Sequence, residues 1–588
     1  MFTRSSRSRL ARLFALLLAF SLFAAACGDD GGTDATDTDA DADDDGDTTG
    51  DDDGEAPGTS APEEGEGEDE QREENPGVVG GTLTVSVEAP SDGLNPTSNN
   101  FATSAYIMGY QIYDPMFYVD TEGNWFPWLA ESAEPVGDGS SWLIKVREGV
   151  TFHDGTPFNA AAVAAAFDAT LNDPLISLAV VPSYPETDRY ELIDEYTIQF
   201  NLIRPSQHFP VNLTSQLGFI PSPDYLVAAA ENPELDQMPI GTGPFKVEER
   251  EPGVRTLLVR NDDYWQGTDD IYLDAIEVLP ITDTVIAAER VARGEIDLIV
   301  TSNPEAQLTL EASPGIETAS NVLGAEDDIM MNTSRPPFDD IRVRQALTYA
   351  TDRQGYFDII AQGTKPLADS MFHPDTKWHN PDIVQEGNTP ELAAPLIVEY
   401  CAENPVNEAG DPMCTNGKVN MELQYSGPSV TQTLIMDLFI NGWEDYFNVT
   451  RQELLQTDHI TEVAFGLYDV VTWRQFGAIE PDNEVVWLEC ATAGAGIALN
   501  WVRVCDEDRD THLFAQRATL DEDERIAAWQ EIAQNVHDSY AYVFLTHSRW
   551  VLGYSENVKN LCGTTGPDGD SVTCNADGSI FLHNAWIE

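Results

Sequence analysis

The chain has 588 residues, with 102 Asp and Glu against 30 Lys and Arg and a formal net charge of −72 at pH 7. That excess excludes nucleic acid as a partner, because gripping phosphates takes clustered Lys and Arg. The length suffices for a large core spread over about two to four structural domains, and an acidic, lysine-poor surface is one that salt relieves by screening.

At the N-terminus, Arg4, Arg7, Arg9 and Arg12 form a positive region, Leu13 to Ala26 an apolar one, and Ala24, Ala25 and Ala26 precede Cys27. Residues 1–26 read as an export signal. The apolar part, about 14 residues long, is too short for a transmembrane span of ~20. The arrangement resembles a bacterial lipobox, although Ala24 stands where that motif more often has Leu. Cys27 is then the lipid-carrying first residue of the mature protein, which places it on the outer face of the cell membrane. Residues 27–76 continue as an acidic spacer without aromatics, unable to bury a core. Within it, "DADDDGDTTGDD" (Asp41 to Asp52) approaches a calcium loop. Thr48 and Asp52 depart from that pattern and no helices flank it, so it reads as a solvated tether.

Folded sequence begins near Gly77. "GGTLTVSVEAP" alternates Leu83, Val85 and Val87 with Thr82, Thr84 and Ser86, the pattern of a half-buried strand. Further strands are predicted at "SWLIKVRE", "YTIQFNL", "RTLLVRN", "DAIEVLPI" and "YAYVFLTH". Helices are predicted after Asn159 as N-cap, from Asp283 to a stop at Gly294, over "DDIRVRQALTYATDR" and over "ERIAAWQEIAQNVHD". The mixture is α/β without an internal repeat.

With Cys27 assigned to lipid, Cys401, Cys414, Cys490, Cys505, Cys562 and Cys574 remain, in three close pairs. An oxidising compartment favours disulfides. The simplest connectivity is Cys401–Cys414, Cys490–Cys505 and Cys562–Cys574, and none of these spacings suits a zinc knuckle. No metal or cofactor site is expected.

Four stretches in order carry the strongest signal. The first is "WLIKVREGVTFHDGTPFNAAAV". The second is "GTGPFKVEE", leading through "RNDDYWQG" to "YLDAIEVLPITDTVIAAERVARGEIDL". The third and fourth are "MNTSRPPFDDIRVRQALTYATDR" and "RIAAWQEIAQNVHDSYAYVFLTH". In the second, Gly241 and Gly243 are expected to supply positive φ. Together the four resemble the extracytoplasmic solute-binding proteins of ABC importers, family 5, which includes dipeptide, oligopeptide and nickel receptors. The likeness runs from about Gly81 to Leu545.

The resemblance implies an α/β fold in two lobes that close on a solute like a Venus flytrap, with an extra subdomain in the N-terminal lobe. It places the lobe I core at 77–113, 240–326 and 546–588, the extra subdomain at 114–239 and lobe II at 327–545. The crossings are expected near Asp327 to Thr333 and near Tyr540 to Leu545. Its implied partners are a small-molecule or short peptide solute, the ABC permease subunits and, through the anchor, the membrane; the protein is expected to be monomeric.

"YDVVTWRQFGAIEPDN" resembles the pocket segment in which peptide receptors follow a Trp by an Asp that holds the peptide amine. Here Arg474, Gln475 and Phe476 follow Trp473, with no acid until Glu480 and Asp482. That departure argues against a standard peptide, and Arg474 suits a carboxylate or phosphate instead. The candidate ligand-binding residues are Trp473, Arg474, Gln475, Tyr425, Phe101, Tyr106 and His373. Arg342, Arg344 and Asp340 read as structural ion pairs or caps, and His153 with Asp154 as a backbone-fixing turn.

Two other functions carry the same composition: an anchored extracellular hydrolase, and a sensor or envelope chaperone with this fold. Against the hydrolase, the sequence has no G-x-S-x-G, no H-E-x-x-H and no P-loop.

Overall fold

The computed structural model describes residues 77–588, apart from 100, 121, 174–175, 322–324, 408, 428–429, 495, 571 and 573–577. The export signal, Cys27, the acidic spacer and Cys574 lie outside the described residues. Among those described, no helix is long and apolar enough to cross a membrane.

Three sheets of four or more strands organise the described residues. The first has seven strands in the order Ile316–Asn321, Trp550–Ser555, Leu298–Thr301, Thr82–Val87, Ala275–Pro280, Arg255–Arg260 and Phe245–Glu251. The predicted strand over Thr82–Val87 pairs in parallel with Ala275–Pro280 and with Leu298–Thr301. Leu83, Val85 and Val87 are buried as the alternation requires, but so is Ser86. A strand in the middle of a sheet is covered on both faces, so its polar side is not left to solvent.

The second sheet has six strands and contains Glu326–Met331 between Val470–Gln475 and Tyr542–His547. Both of its faces are buried. Met330, Val471, Tyr542 and Phe544 meet Trp501, Leu513, Trp529 and Ile532 on one side. Ile329, Met331, Val470, Val543 and Leu545 meet Val343, Leu347, Ile397 and Phe439 on the other. The third sheet, four antiparallel strands from Ala130 to Asn201, shares a continuous apolar core with the first.

Residues expected at the crossings, 327–333 and 540–545, are instead largely inside the second sheet. The chain leaves the first sheet after Asn321, enters the second at Glu326, leaves it after His547 and regains the first at Trp550. The acid-rich "EDDIMM" makes a strand because its neighbours on both sides pair with it, which overrides local composition.

The predicted caps are present. Asn159 Oδ1 accepts from Ala162 N at 3.1 Å, Asp283 Oδ1 from Ile286 N at 2.9 Å and Asp340 Oδ1 from Arg342 N at 2.9 Å. Arg342 bridges Asp340, Glu399 and Glu403, and Arg344 donates to the carbonyls of Ser539 and Phe338.

His153 ties its turn to the glycine loop, with Nε2 3.0 Å from the Gly243 carbonyl, while Asp154 accepts from Ser222 Oγ at 2.6 Å. The expectation for that loop needs correcting, because neither Gly241 nor Gly243 has positive φ. Both are needed for close approach: a Cβ would lie 2.1 Å from the Ile112 carbonyl oxygen at Gly241 and 2.5 Å from the Gln111 carbonyl oxygen at Gly243. The structure contains the disulfides Cys401–Cys414 and Cys490–Cys505, and Cys562 is also disulfide-bonded.

Candidate functional site

In open α/β sheets the crevice beyond the carboxyl ends of parallel strands is where ligands bind. Here Glu88 and Ser302 stand just past the ends of the parallel strands Thr82–Val87 and Leu298–Thr301. The second sheet meets them at the double crossing, where Arg474 Nη1 lies 3.4 Å from Ser302 Oγ.

Asp327 organises this junction. Its carboxylate binds Arg474 Nε at 2.9 Å and Lys365 Nζ at 3.0 Å, and accepts from Thr546 Oγ1 at 3.0 Å and Ser548 Oγ at 3.4 Å. All five side chains are buried. Burial pushes the Asp327 carboxyl up, but the charges of Lys365 and Arg474 outweigh it and hold it well below the usual carboxylate range. Glu88 accepts from Thr301 Oγ1 at 2.6 Å and Ser302 N at 2.8 Å, and burial raises its carboxyl. The cluster is two acids against two bases. Arg474 is therefore already matched by a carboxylate, not held free for an anionic solute.

Strand alternation turns Glu326 and Asp328 to the opposite face. Across the ladder Glu326 sits opposite Gln475 and His547, and Asp328 opposite Trp473 and Phe544. Glu326 Oε1 lies 2.8 Å from His547 Nδ1, and the His547 ring lies 4.9 Å from that of His373. Burial drives the Glu326 carboxyl well above its ordinary range and the His547 imidazole down to about 3, so burial disfavours the charged form of both. Burial likewise raises Glu484, which acts on Glu326, to about 7. Asp328 is 1% exposed, and neither of its oxygens has a hydrogen-bond partner among the described residues. Trp473 stands edge-on to Trp501 with centroids 4.7 Å apart.

Four of the candidate residues thus gather here: Trp473, Arg474 and Gln475 on one strand, and His373 beside His547. Tyr425 lies in the strand Lys418–Ser426, within the core of the other face, its hydroxyl 3.4 Å from Glu453. Phe101 and Tyr106 pack with each other and with Phe219 against the first core. Glu480 is ion-paired with Arg525, and Asp482 with Arg517 at 2.7 Å, so these two acids are already matched. Sequence reasoning missed Glu88, Glu326, Asp327, Asp328, Lys365 and His547. The available signal was three consecutive acids running into an apolar "IMM", in a chain with few lysines to match them.

Residues 124–487, more than half of the chain, match the profile of the bacterial extracellular solute-binding proteins, family 5 (middle). Di/tripeptide-binding protein 2 of Pseudomonas aeruginosa is 26% identical over 510 residues, 82% of this chain and 92% of the relative. The nickel-binding periplasmic protein of Escherichia coli is 27% identical over 467 residues, 76% of this chain and 86% of the relative. Among solved structures, the ABC transporter-associated periplasmic binding protein DppA of Helicobacter pylori, in complex with peptide STSA, superposes with a TM-score of 0.73 at 21% identity. That match covers 87% of this chain and 99% of DppA and shows a shared two-lobed fold. By the family profile, the chain belongs to the family 5 extracellular solute-binding proteins and is a binding protein of the ABC-importer type, not an enzyme.

Proposed function

We propose that the protein captures a peptide-like solute between its lobes at the double crossing and delivers it to an ABC permease. The lobes are those delimited from the sequence, with Glu326, Thr546 and His547 moved to the second lobe because their strands lie in its sheet, and a lipid on Cys27 with the acidic spacer holds the receptor at the outer face of the membrane. The observation that carries the choice of solute is the pairing of Arg474 and Lys365 with Asp327. An anion placed there would have to displace a buried carboxylate from both of its counter-charges, and breaking such a pair is costly. The names of the peptide-binding relatives support the same class.

Native mass spectrometry on protein exported through an oxidising compartment tests the reading. The expected result is a discrete adduct of peptide mass, lost on denaturation. Adducts of sugar or anionic mass would overturn it. The anchor is tested separately, since incorporation of a labelled fatty acid is expected in the native chain and absent from Cys27→Ala.

A further inference from the structure

Among the described residues the two halves of the molecule have separate apolar cores, one under the first and third sheets and two under the second. Where the halves touch away from the crossing, hydrogen bonds and a cation–π contact carry the seam. A cavity lined by Ser183, Ile203, Arg204, Ser206, Glu489 and Arg517 opens between them. Such a seam can part without exposing a core, unlike the close-packed interior on either side. The helix Glu507–Ala518 ends there, and the carbonyls of its last turn have no donors further along the helix. Two carbonyls at this end are met from the other half instead: Arg517 O accepts from Gln207 N at 2.7 Å and Thr519 O from His208 Nε2 at 2.9 Å. A carbonyl only accepts, so His208 carries its ring hydrogen on Nε2. The Arg204 guanidinium, 4.0 Å over the Phe514 ring, puts a cation at the last turn, where the helix dipole favours one.

Both sides of the seam are braced from behind. Trp142 Nε1 donates to the Ser206 carbonyl at 2.7 Å and Gln207 Nε2 to the Asp138 carbonyl at 2.9 Å, while Gln516 Nε2 and Arg517 Nε each reach Asp482 Oδ1 at 2.7 Å. We propose that residues 204–208 are a latch: this loop of the extra subdomain caps the helix Glu507–Ala518 across the cleft, holds the lobes closed and must let go before solute enters or leaves. This rests on the two-lobed solute-binding reading and adds to it a closing element remote from the solute. A closed state favoured in this way lowers the fraction of receptor open to solute and slows release of what has been captured. Glu489 borders the same cavity, and the charges of Arg517 and Arg204 act on its carboxylate against the burial that raises it.

The test compares the full-length protein, solubilised in detergent and without added solute, with its Arg204→Ala/His208→Ala variant. Arg204 is exposed and His208 half-buried, so neither core is touched by the change. Amide hydrogen exchange in the segments 202–209 and 514–521 is expected to speed up roughly 10–30-fold. Native mass spectrometry with ion mobility is expected to show a second, larger collision cross-section that the native chain lacks. Arg204→Glu, which turns a carboxylate toward Glu489, is the second route should the double variant fold poorly, with the same two changes expected. Unchanged exchange would overturn the latch, and so would faster exchange with an unchanged cross-section, since that is loosening of the loop alone. Neither readout uses a solute, so their failure overturns the latch while the peptide reading, tested by its own adducts, stands.

Discussion

Asp327 and Asp328 are adjacent in sequence and opposite in environment. Asp327 holds two buried cations, so Asp327→Asn strands Lys365 and Arg474 and is expected to cost about 3–5 kcal/mol in urea unfolding. Asp328 has no hydrogen-bond partner among the described residues, so Asp328→Asn should be neutral or stabilising by about 1 kcal/mol. Glu484 adds a pH signature. Its carboxyl is raised by burial from 4.5 to about 7, so the folded state keeps a proton that the unfolded state has already lost. Stability from this group is present at low pH and falls as pH rises from about 4.5 to about 7, by about 3 kcal/mol in all. Glu484→Gln keeps the acceptor for Ala478 N and removes the titration. Its melting temperature is expected to fall less than that of the native chain between roughly pH 5 and 8, and parallel profiles would refute the assignment.

Among the elements, the glycine loop at 241–243 and the disulfide loops are where covalent geometry decides. Gly241→Ala puts a Cβ 2.1 Å from the Ile112 carbonyl oxygen and is expected to lose about 1–3 kcal/mol in chemical denaturation. Opening Cys401–Cys414, whose partners are 13 residues apart, is expected to lose up to ~3 kcal/mol. The elements most legible in the sequence were those whose ends announce themselves: Asn159, Asp283 and Asp340 cap helices where their side chains can reach a free N–H. Least legible was Glu326–Met331. Three acids in a row oppose strand formation on their own, and only the strands on either side make the position a central one.

Over the whole molecule, the halves touch away from the crossing as well as at it. Gln207 N donates to the Arg517 carbonyl at 2.7 Å, His208 Nε2 lies 2.9 Å from the Thr519 carbonyl, and the Arg204 guanidinium sits 4.0 Å over the Phe514 ring. These contacts join the region of the third sheet to the helix Glu507–Ala518 and its end. A net charge of −72 works against such closure by self-repulsion. The melting temperature is therefore expected to rise as NaCl is added from low ionic strength, and a flat or falling curve would contradict the electrostatic argument.

Sequence by itself determined the α/β class, the major helices with their caps, several strands of the first and third sheets and one of the second, the short-range cysteine pairing at 401–414 and 490–505, and the family, because these rest on local periodicity, capping chemistry and ordered motifs. It also led to Trp473, Arg474, Gln475 and His373. Only the tertiary structure decided what those residues face. The carboxylate beside Trp473 comes from another strand, 145 positions earlier in the chain, and the partner of Arg474 from the residue before it. Strand pairing between distant segments sets which acid is matched and which is left over, and no local pattern encodes that register.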